Sequence, residues 1–304
     1  MLTDLYISYV DFLNKRSVFE KLFYISLILI ILYCVLIYRS TVETMENRRS
    51  IGQFVSVYGN NIYDDYYANI YDELFLNKTK NDYEIDLIIK KTIPTFNSNF
   101  LVIGSGTGHY VGSLTNSGYK AEGLDLSQSM VNKSKQNYPE SIFNKGDALE
   151  SITFNQKTFS HIMCMYFTIY TIKNKRMFFQ NCMSWLKSNG FLIIHLVDRD
   201  NFDILTDDEQ PHKDSVKLIP TTTATIENHK YKSTFELNGD VATFTEIITD
   251  KRDKSVRNQV HTLYMPLKED ILKMAKSCGF EIINKYELDE VSYKNHFIYI
   301  LKKR

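Results

Sequence analysis

Leu101-Val102-Ile103-Gly104-Ser105-Gly106-Thr107-Gly108 is a buried-strand pattern that breaks into three alternating glycines. A glycine turn after a strand lets the backbone approach a ligand closely, because no Cβ intervenes and positive φ is free. About twenty residues further on, Gly123-Leu124-Asp125 ends a second strand in an acid, and an acid at such a strand tip can hold two ribose hydroxyls. The two features together predict a doubly wound α/β sheet with an adenosine-bearing ligand across its strand tips.

The glycine spacing discriminates between ligands. A nicotinamide site wants G-x-G-x-x-G, with the third glycine allowing close helix–strand packing and the helix N-terminus facing a pyrophosphate. Here that third position is the bulky His109, and the glycine falls one residue earlier, at Gly108. The resulting G-x-G-x-G resembles motif I of the class I S-adenosylmethionine-dependent methyltransferases, and further segments resemble that family in the same order. Gly123-Leu124-Asp125-Leu126-Ser127 with Met130 looks like the ribose-binding strand end and the start of the following helix. Gly146-Asp147-Ala148 looks like the adenine-contacting turn, residues 159–165 like the fourth strand, and residues 185–194 like the helix, turn and fifth strand. The likeness runs from about Tyr63 to the C-terminus.

The resemblance implies a Rossmann-like seven-stranded sheet, mostly parallel with helices on both faces, and S-adenosyl-L-methionine as cofactor. It also implies cofactor contacts from Gly104, Ser105, Gly106, Gly108, Asp125, Leu126, Met130, Asp147, Ala148 and Met165, with Tyr71 closing over the cofactor through the family's Tyr-Asp pattern. The family usually carries Asp or Glu two residues before the first glycine. This chain has Val102, so another group must meet the cofactor's methionine part or the contact is weaker.

Composition fits one enzyme-sized domain with an appendage. The 304 residues are 44% hydrophobic, enough for a full core, and 36 Lys+Arg balance 36 Asp+Glu. A neutral chain carries no global electrostatic footprint for nucleic acid. Cys34, Cys164, Cys182 and Cys278 show no C-x-x-C spacing and read as reduced thiols, so neither a metal site nor a disulfide framework is expected.

The appendage is N-terminal. Residues 22–38 carry no charge and meet the short limit of about 17–25 residues for a helix across a bilayer core. Tyr24, Tyr33 and Tyr38 suit an interface, and Lys21 and Arg39 bracket the run. A core helix would show a polar face. A cleaved signal would show small residues after Tyr38 and no Asp4, Asp11 or Glu20 before the run. The expected organisation is therefore a leader over 1–21, a single transmembrane helix over 22–38, a polar juxtamembrane linker over 39–60 and a methyltransferase domain over 61–304. Flanking charge does not decide the topology, and the catalytic domain is placed in the cytosol because S-adenosylmethionine is made there.

Within the domain, strands near 100–103, 120–124, 141–144, 160–165 and 191–197 alternate with helices, which implies a parallel sheet covered on both faces. Residues 229–264 switch to Thr, Val, Ile and Phe alternating with charges, and Asn238-Gly239 is a strong hairpin turn. This predicts an antiparallel β insertion over about 220–264. A helix over 267–277 stops at Gly279, and strands over 281–286 and 296–301 complete the sheet.

Methyl transfer needs mainly a nucleophile held in line, plus a base when the acceptor must lose a proton. Candidates must lie at the carboxyl ends of the strands. Tyr166 and His195 are the expected catalytic residues, orienting the acceptor or taking its proton. Each has an ordinary alternative: Tyr166 as cavity wall, His195 as a hydrogen-bonded core histidine, and His109 as a helix-start residue. The acceptor is expected to enter between residues 63–71 and the β insertion. No Asn-Pro-Pro-Tyr or Asp-Pro-Pro-Tyr follows the fourth strand, no acidic pair brackets that loop, and no clear metal-ligand set resembles catechol-type enzymes. The resemblance therefore favours small-molecule N- or O-methyltransferases, including amino-sugar and glycine N-methylating groups, with a membrane anchor raising the case for a lipid acceptor. Two alternatives stand: a cofactor-binding protein without turnover, motivated by Val102, and a nicotinamide-dependent reductase, disfavoured by His109.

Overall fold

The computed structural model describes residues 17–50, 53–202, 221–226 and 228–304. The leader up to residue 16 and the first residue of the expected insertion lie outside the described residues. The chain divides into an N-terminal unit and a larger unit that begins at Phe54.

Helix α1 (Val18–Ser50) forms the N-terminal unit. Ser17 and Glu20 cap its start reciprocally, Ser17 N donating to Glu20 Oε2 at 2.8 Å and Glu20 N to Ser17 Oγ at 3.3 Å. Its segment Val18–Tyr38 is long and apolar enough to cross a membrane by length and composition. Large apolar side chains there, Leu22, Leu29, Leu32 and Leu36 among them, are exposed. The stretch 39–60, expected as a linker, carries regular structure: α1 continues to Ser50, strand β1 spans Phe54–Tyr58, and a 3-10 turn covers Gly59–Ile62.

The larger unit holds two sheets. The first has strands β2 (Asn99–Ile103), β3 (Lys120–Asp125), β4 (Ile142–Lys145), β5 (Phe159–Cys164), β6 (Leu186–Val197), β11 (Phe280–Leu288) and β12 (Tyr293–Lys303), in the order β11-β12-β6-β5-β2-β3-β4. All neighbours from β4 to β6 are parallel, while β12 runs antiparallel to both β6 and β11. The sheet reverses direction of growth between β2 and β5, the switch point at which open α/β sheets bind ligands. Period-two alternation splits its side chains between two cores. Leu101, Ile103, Ile162, Leu192 and Ile194 face one core, and Phe100, Val102, Met163, Ile193 and Ile298 face the other. The second core is closed by Ile85 and Ile88 of α3 (Lys78–Thr92), Val111 and Leu114 of α4 (His109–Asn116) and Val131 of α5 (Gln128–Asn137). The first is closed by Ile169 of the short α6 (Thr168–Thr171), Phe178 and Trp185 of α7 (Lys175–Trp185), and Ile271 of α8 (Lys268–Ser277).

The second sheet is the insertion. Strands β7 (Thr221–Ile226), β8 (His229–Asn238), β9 (Val241–Asp250) and β10 (Val256–Tyr264) form an antiparallel meander in the order β10-β9-β8-β7. β1 adds to its edge, parallel to β10 with Phe54 opposite Val256. Helix α2 (Asp65–Phe75) shares a third apolar cluster with this sheet: Ile62, Tyr67 and Ile70 pack with Tyr231, Ile248 and Met130. Arg257 ties the start of α2 to β10, donating to Asp64 Oδ2 at 3.0 Å and to the Ile62 carbonyl at 3.1 Å.

Candidate active site

The turn after β2 is built from backbone that side chains would obstruct. Gly104, Gly106 and Gly108 have φ of +64°, +53° and +96°. A Cβ on Gly104 would stand 2.4 Å from Thr168 Cγ2, and one on Gly108 would stand 2.7 Å from Phe143 Cζ. At Gly106 a Cβ would meet nothing within 4 Å, so the turn leaves open space where a ligand would lie. Asp125 organises this turn from the tip of β3. Its Oδ2 accepts Gly106 N at 2.8 Å and its Oδ1 accepts Ser127 N at 2.9 Å. Burial raises its carboxyl pKa, and the backbone amides of Ser127, Gly106 and Leu126 pull it back.

These residues open onto a cavity of about 640 Å³ at the switch point. Tyr71, Gly104, Ser105, Gly106, Asp125, Leu126, Met130, Asp147, Ala148, Met165 and Tyr166 all line it. Two of the expected residues stand apart. Gly108 is the N-cap of α4 and packs toward Phe143 and Ser134, off the cavity wall. His195 is fully buried and does not reach the cavity. Its Nδ1 lies 2.7 Å from the Tyr166 carbonyl, which can only accept, so Nδ1 carries the proton and Nε2 takes the contact to His296 Nδ1 at 3.1 Å. Burial, then the charges of His296 and Lys80, keep its pKa well below the ordinary imidazole value. Its position is that of a core histidine holding the backbone of Tyr166, whose φ is +51°. Ser105 lines the cavity, but its hydroxyl is buried without a partner, and a Cβ on the facing Gly123 would meet it at 2.6 Å.

Val102 sits in the core at 1% exposure, so the position of the missing acid does not face the cavity. Charges reach the glycine turn from other elements. Asp72 of α2 accepts the Thr107 hydroxyl and Asn137 Nδ2, the latter at 3.3 Å. Lys80 of α3, also on the wall, is paired with Glu84 at 2.9 Å and lies 5.1 Å and 5.2 Å from the ring centroids of Tyr166 and Tyr293. Asp72, bonded to Thr107 of the turn, and Lys80, elsewhere on the cavity lining and paired with the buried Glu84, offer an acid and a cation to the amino and carboxyl groups of a methionine tail. The fit to an adenosyl-amino-acid cofactor is thus carried by the open space over Gly106, the spare acceptor positions of Asp125 and this charge pair.

The rest of the lining includes Tyr63 just before α2, Tyr67 and Phe75 of α2, and Phe244 and His261 of the insertion; the Tyr63 carbonyl also accepts the Ser127 hydroxyl. Burial raises the phenol pKa of Tyr63, Tyr67 and Tyr71, with Glu246 adding to all three, Asp125 to Tyr63 and Tyr71, and neighbouring tyrosines to Tyr67 and Tyr71, so the hydroxyls are neutral. His261 and Glu246 were invisible to motif reasoning. The available signal was period: Glu246 occupies the inward phase of β9 between Phe244 and Ile248.

Comparison with known proteins adds to this geometry. Residues 101–194 match a methyltransferase domain family. No curated protein matches the chain. Among solved structures, an S-adenosylmethionine-dependent methyltransferase from Clostridium acetobutylicum aligns with a TM-score of 0.61 at 17% identity, covering 79% of this chain and 98% of that one. CalS10 from Micromonospora echinaspora, an amino pentose methyltransferase with S-adenosylmethionine bound, aligns with a TM-score of 0.58 at 17% identity, covering 79% and 97%. The sugar N-methyltransferase KedS8 from Streptoalloteichus aligns with a TM-score of 0.54 at 16% identity, covering 75% and 87%. At these identities the structures establish the shared fold, and the match over residues 101–194 identifies a methyltransferase domain within this chain.

Proposed function

We propose that this enzyme transfers a methyl group to a nitrogen or oxygen of a small molecule or lipid, with α1 anchoring it in a membrane and the residues after Arg39 in the cytosol. The single observation that carries the acceptor reading is the shape of the cavity. One cavity is lined both by the glycine turn and Asp125 and by Tyr63, Tyr67 of α2, and Phe244 and His261 of the insertion. In the proposed binding mode Gly104, Ser105 and Gly106 present backbone to the cofactor. Asp125 takes the ribose, Leu126, Met130, Asp147 and Ala148 border the adenine, Met165 packs below, and Tyr71 closes over it. The cofactor supplies an already activated methyl group, so the protein's task is to hold the acceptor in line and exclude water. Tyr166, at the tip of β5, is on the wall to orient the acceptor, and His195 acts only through the Tyr166 backbone. The substrates named for CalS10 and KedS8, an amino pentose and a sugar nitrogen, support a small acceptor.

The anchor reading rests on an apolar helix segment of 21 residues, about 30 Å long. Carbonate extraction of membranes should leave the full-length protein in the pellet, and release into the supernatant would refute anchoring. Asn77-Lys78-Thr79 and Asn132-Lys133-Ser134 should stay unglycosylated, and a glycan at Asn77 would reverse the topology. Function is tested by incubating the full chain with methyl-labelled S-adenosylmethionine and a fractionated cell extract. Label should appear in the small-molecule or lipid fraction. Label in nucleic acid or protein would refute the acceptor class, and cofactor bound without transfer would favour the non-catalytic reading prompted by Val102.

A further inference from the structure

Strand β9 places Ala242, Phe244, Glu246 and Ile248 on one buried phase. An acid in such company is costly unless it is paired. Glu246 is fully buried and takes four donors. The Tyr231 hydroxyl reaches Oε1 at 2.7 Å, and Oε2 accepts the Tyr67 hydroxyl at 2.8 Å, Gln259 Nε2 at 2.8 Å and His261 Nε2 at 2.5 Å. Burial alone would raise its carboxyl pKa. The bond and charge of His261, with the hydroxyls of Tyr231 and Tyr67, outweigh burial and hold it below the ordinary value. Glu246 is therefore an ionised carboxylate, which can only accept. The nitrogen that His261 shares with Glu246 therefore carries a proton at Nε2, and the lone pair that His261 offers when it acts as a base is on Nδ1.

His261 also stands on the cavity wall. Its ring is held by Tyr63, edge-on at 5.8 Å between centroids, and by Phe244 at 5.4 Å. Phe244 and His261 come from the insertion rather than from the glycine turn, whereas Tyr63 adjoins the Asp125 side, its carbonyl accepting the Ser127 hydroxyl. A histidine with a fixed tautomer, backed by a buried carboxylate and facing the acceptor space, has the arrangement of a general base.

We propose that His261, oriented by Glu246, takes the proton released in methyl transfer, and that the acceptor is an amine entering in its ammonium form. The proposal rests on the reading of this cavity as a methyl-transfer site. The ammonium gives one N–H proton to His261 Nδ1, and the freed nitrogen lone pair forms the new bond to the methyl carbon. The methyl–sulfur bond breaks with its electron pair staying on sulfur, leaving S-adenosylhomocysteine. Glu246 meets the imidazolium charge through the Nε2–H bond. An alkylammonium suits an imidazole base because their acidities lie within reach of each other, whereas an alcohol proton is far less acidic. Tyr63 and Tyr67 line the same cavity, and aromatic rings suit a cation. His261 is thus a catalytic residue, and Glu246 a positioning residue acting through it.

The test needs no knowledge of the natural acceptor. Sinefungin is an S-adenosylmethionine analogue that carries an amine where the methyl group would be, and S-adenosylhomocysteine has nothing there. Calorimetry on the full chain in detergent should show sinefungin binding about tenfold or more tighter than S-adenosylhomocysteine, the scale of one charge-assisted hydrogen bond. In His261→Asn and Glu246→Gln the advantage should vanish while S-adenosylhomocysteine affinity stays within about twofold, which also shows that the site is folded. Tyr67→Phe, which removes a hydrogen bond to Glu246 but spares the pair, should keep the advantage. An advantage equal in wild type and His261→Asn, or lost as fully in Tyr67→Phe as in Glu246→Gln, would overturn the proposal. Failure of wild type to bind S-adenosylhomocysteine would refute the methyl-transfer reading itself, and the proposal with it.

Discussion

Replacing Asp125 with alanine should uncouple the cofactor from the strand tip. A carboxylate offers about four acceptor positions. Two are filled in the protein, by Gly106 N at 2.8 Å and Ser127 N at 2.9 Å, and the Leu126 amide also bears on the group, which leaves one or two for ribose hydroxyls. Each hydrogen bond to a charged acceptor contributes about 1.5–3 kcal/mol, so losing one or two removes about 1.5–6 kcal/mol. Freeing the Gly106 and Ser127 amides loosens the turn as well. At least a tenfold weaker binding of S-adenosylhomocysteine is expected, by calorimetry on the full chain, with the circular dichroism spectrum unchanged. A pH dependence follows from the same group. Burial raises the Asp125 pKa above the ordinary carboxylate value, and the ribose is bound by the ionised form. Affinity should therefore fall as pH drops through that raised pKa, and this limb should be absent in Asp125→Asn. An Asp125→Ala protein that binds within threefold of wild type would refute the placement of the ribose.

Gly104→Ala should lower both stability and cofactor affinity, because its φ is +64° and the new Cβ would fall 2.4 Å from Thr168 Cγ2. A loss of about 2 kcal/mol, read as a fall of several degrees in melting temperature, is expected, and an unchanged melt would contradict it. Lys80→Met should weaken S-adenosylhomocysteine about tenfold but leave 5′-methylthioadenosine, which lacks the amino-acid tail, unaffected; equal losses for both would place Lys80 away from that tail. His161, stacked 4.4 Å from the Phe100 ring centroid and 5.4 Å from that of Phe191, has its pKa lowered from 6.5 to about 4 by burial. The unfolded chain binds this proton first, so stability is full above pH 6.5 and is lost as pH falls toward about 4, by on the order of 3 kcal/mol. Urea unfolding across that window should show a shallower acid limb in His161→Phe, and an identical limb would contradict the assignment.

The cofactor half was legible because its information is local. A strand, a glycine turn and an acid lie within 25 residues of one another, and side-chain alternation marks each strand of a sheet buried on both faces. The acceptor half was not, because its residues meet only through tertiary pairing. Tyr67 and Glu246 are 179 positions apart. Likewise β1 read as linker because a five-residue strand gains its partner only by lying parallel to β10, about 200 residues away. His195 misled for a different reason. Alternation along β6 says that a residue points to one face of the sheet, but not whether Tyr166 stands between it and the cavity. Lys80 and Asp72 were obscured because a polar residue on an amphipathic helix looks the same whether it faces solvent or a cavity.

The most direct measurement is a calorimetric competition on the full chain between S-adenosylhomocysteine and NADH. Saturable binding of one S-adenosylhomocysteine per chain, undiminished by NADH, is the predicted result. Binding of NADH that displaces S-adenosylhomocysteine, or no binding of either, would contradict a methyl-transfer site at the Gly104–Gly106 turn.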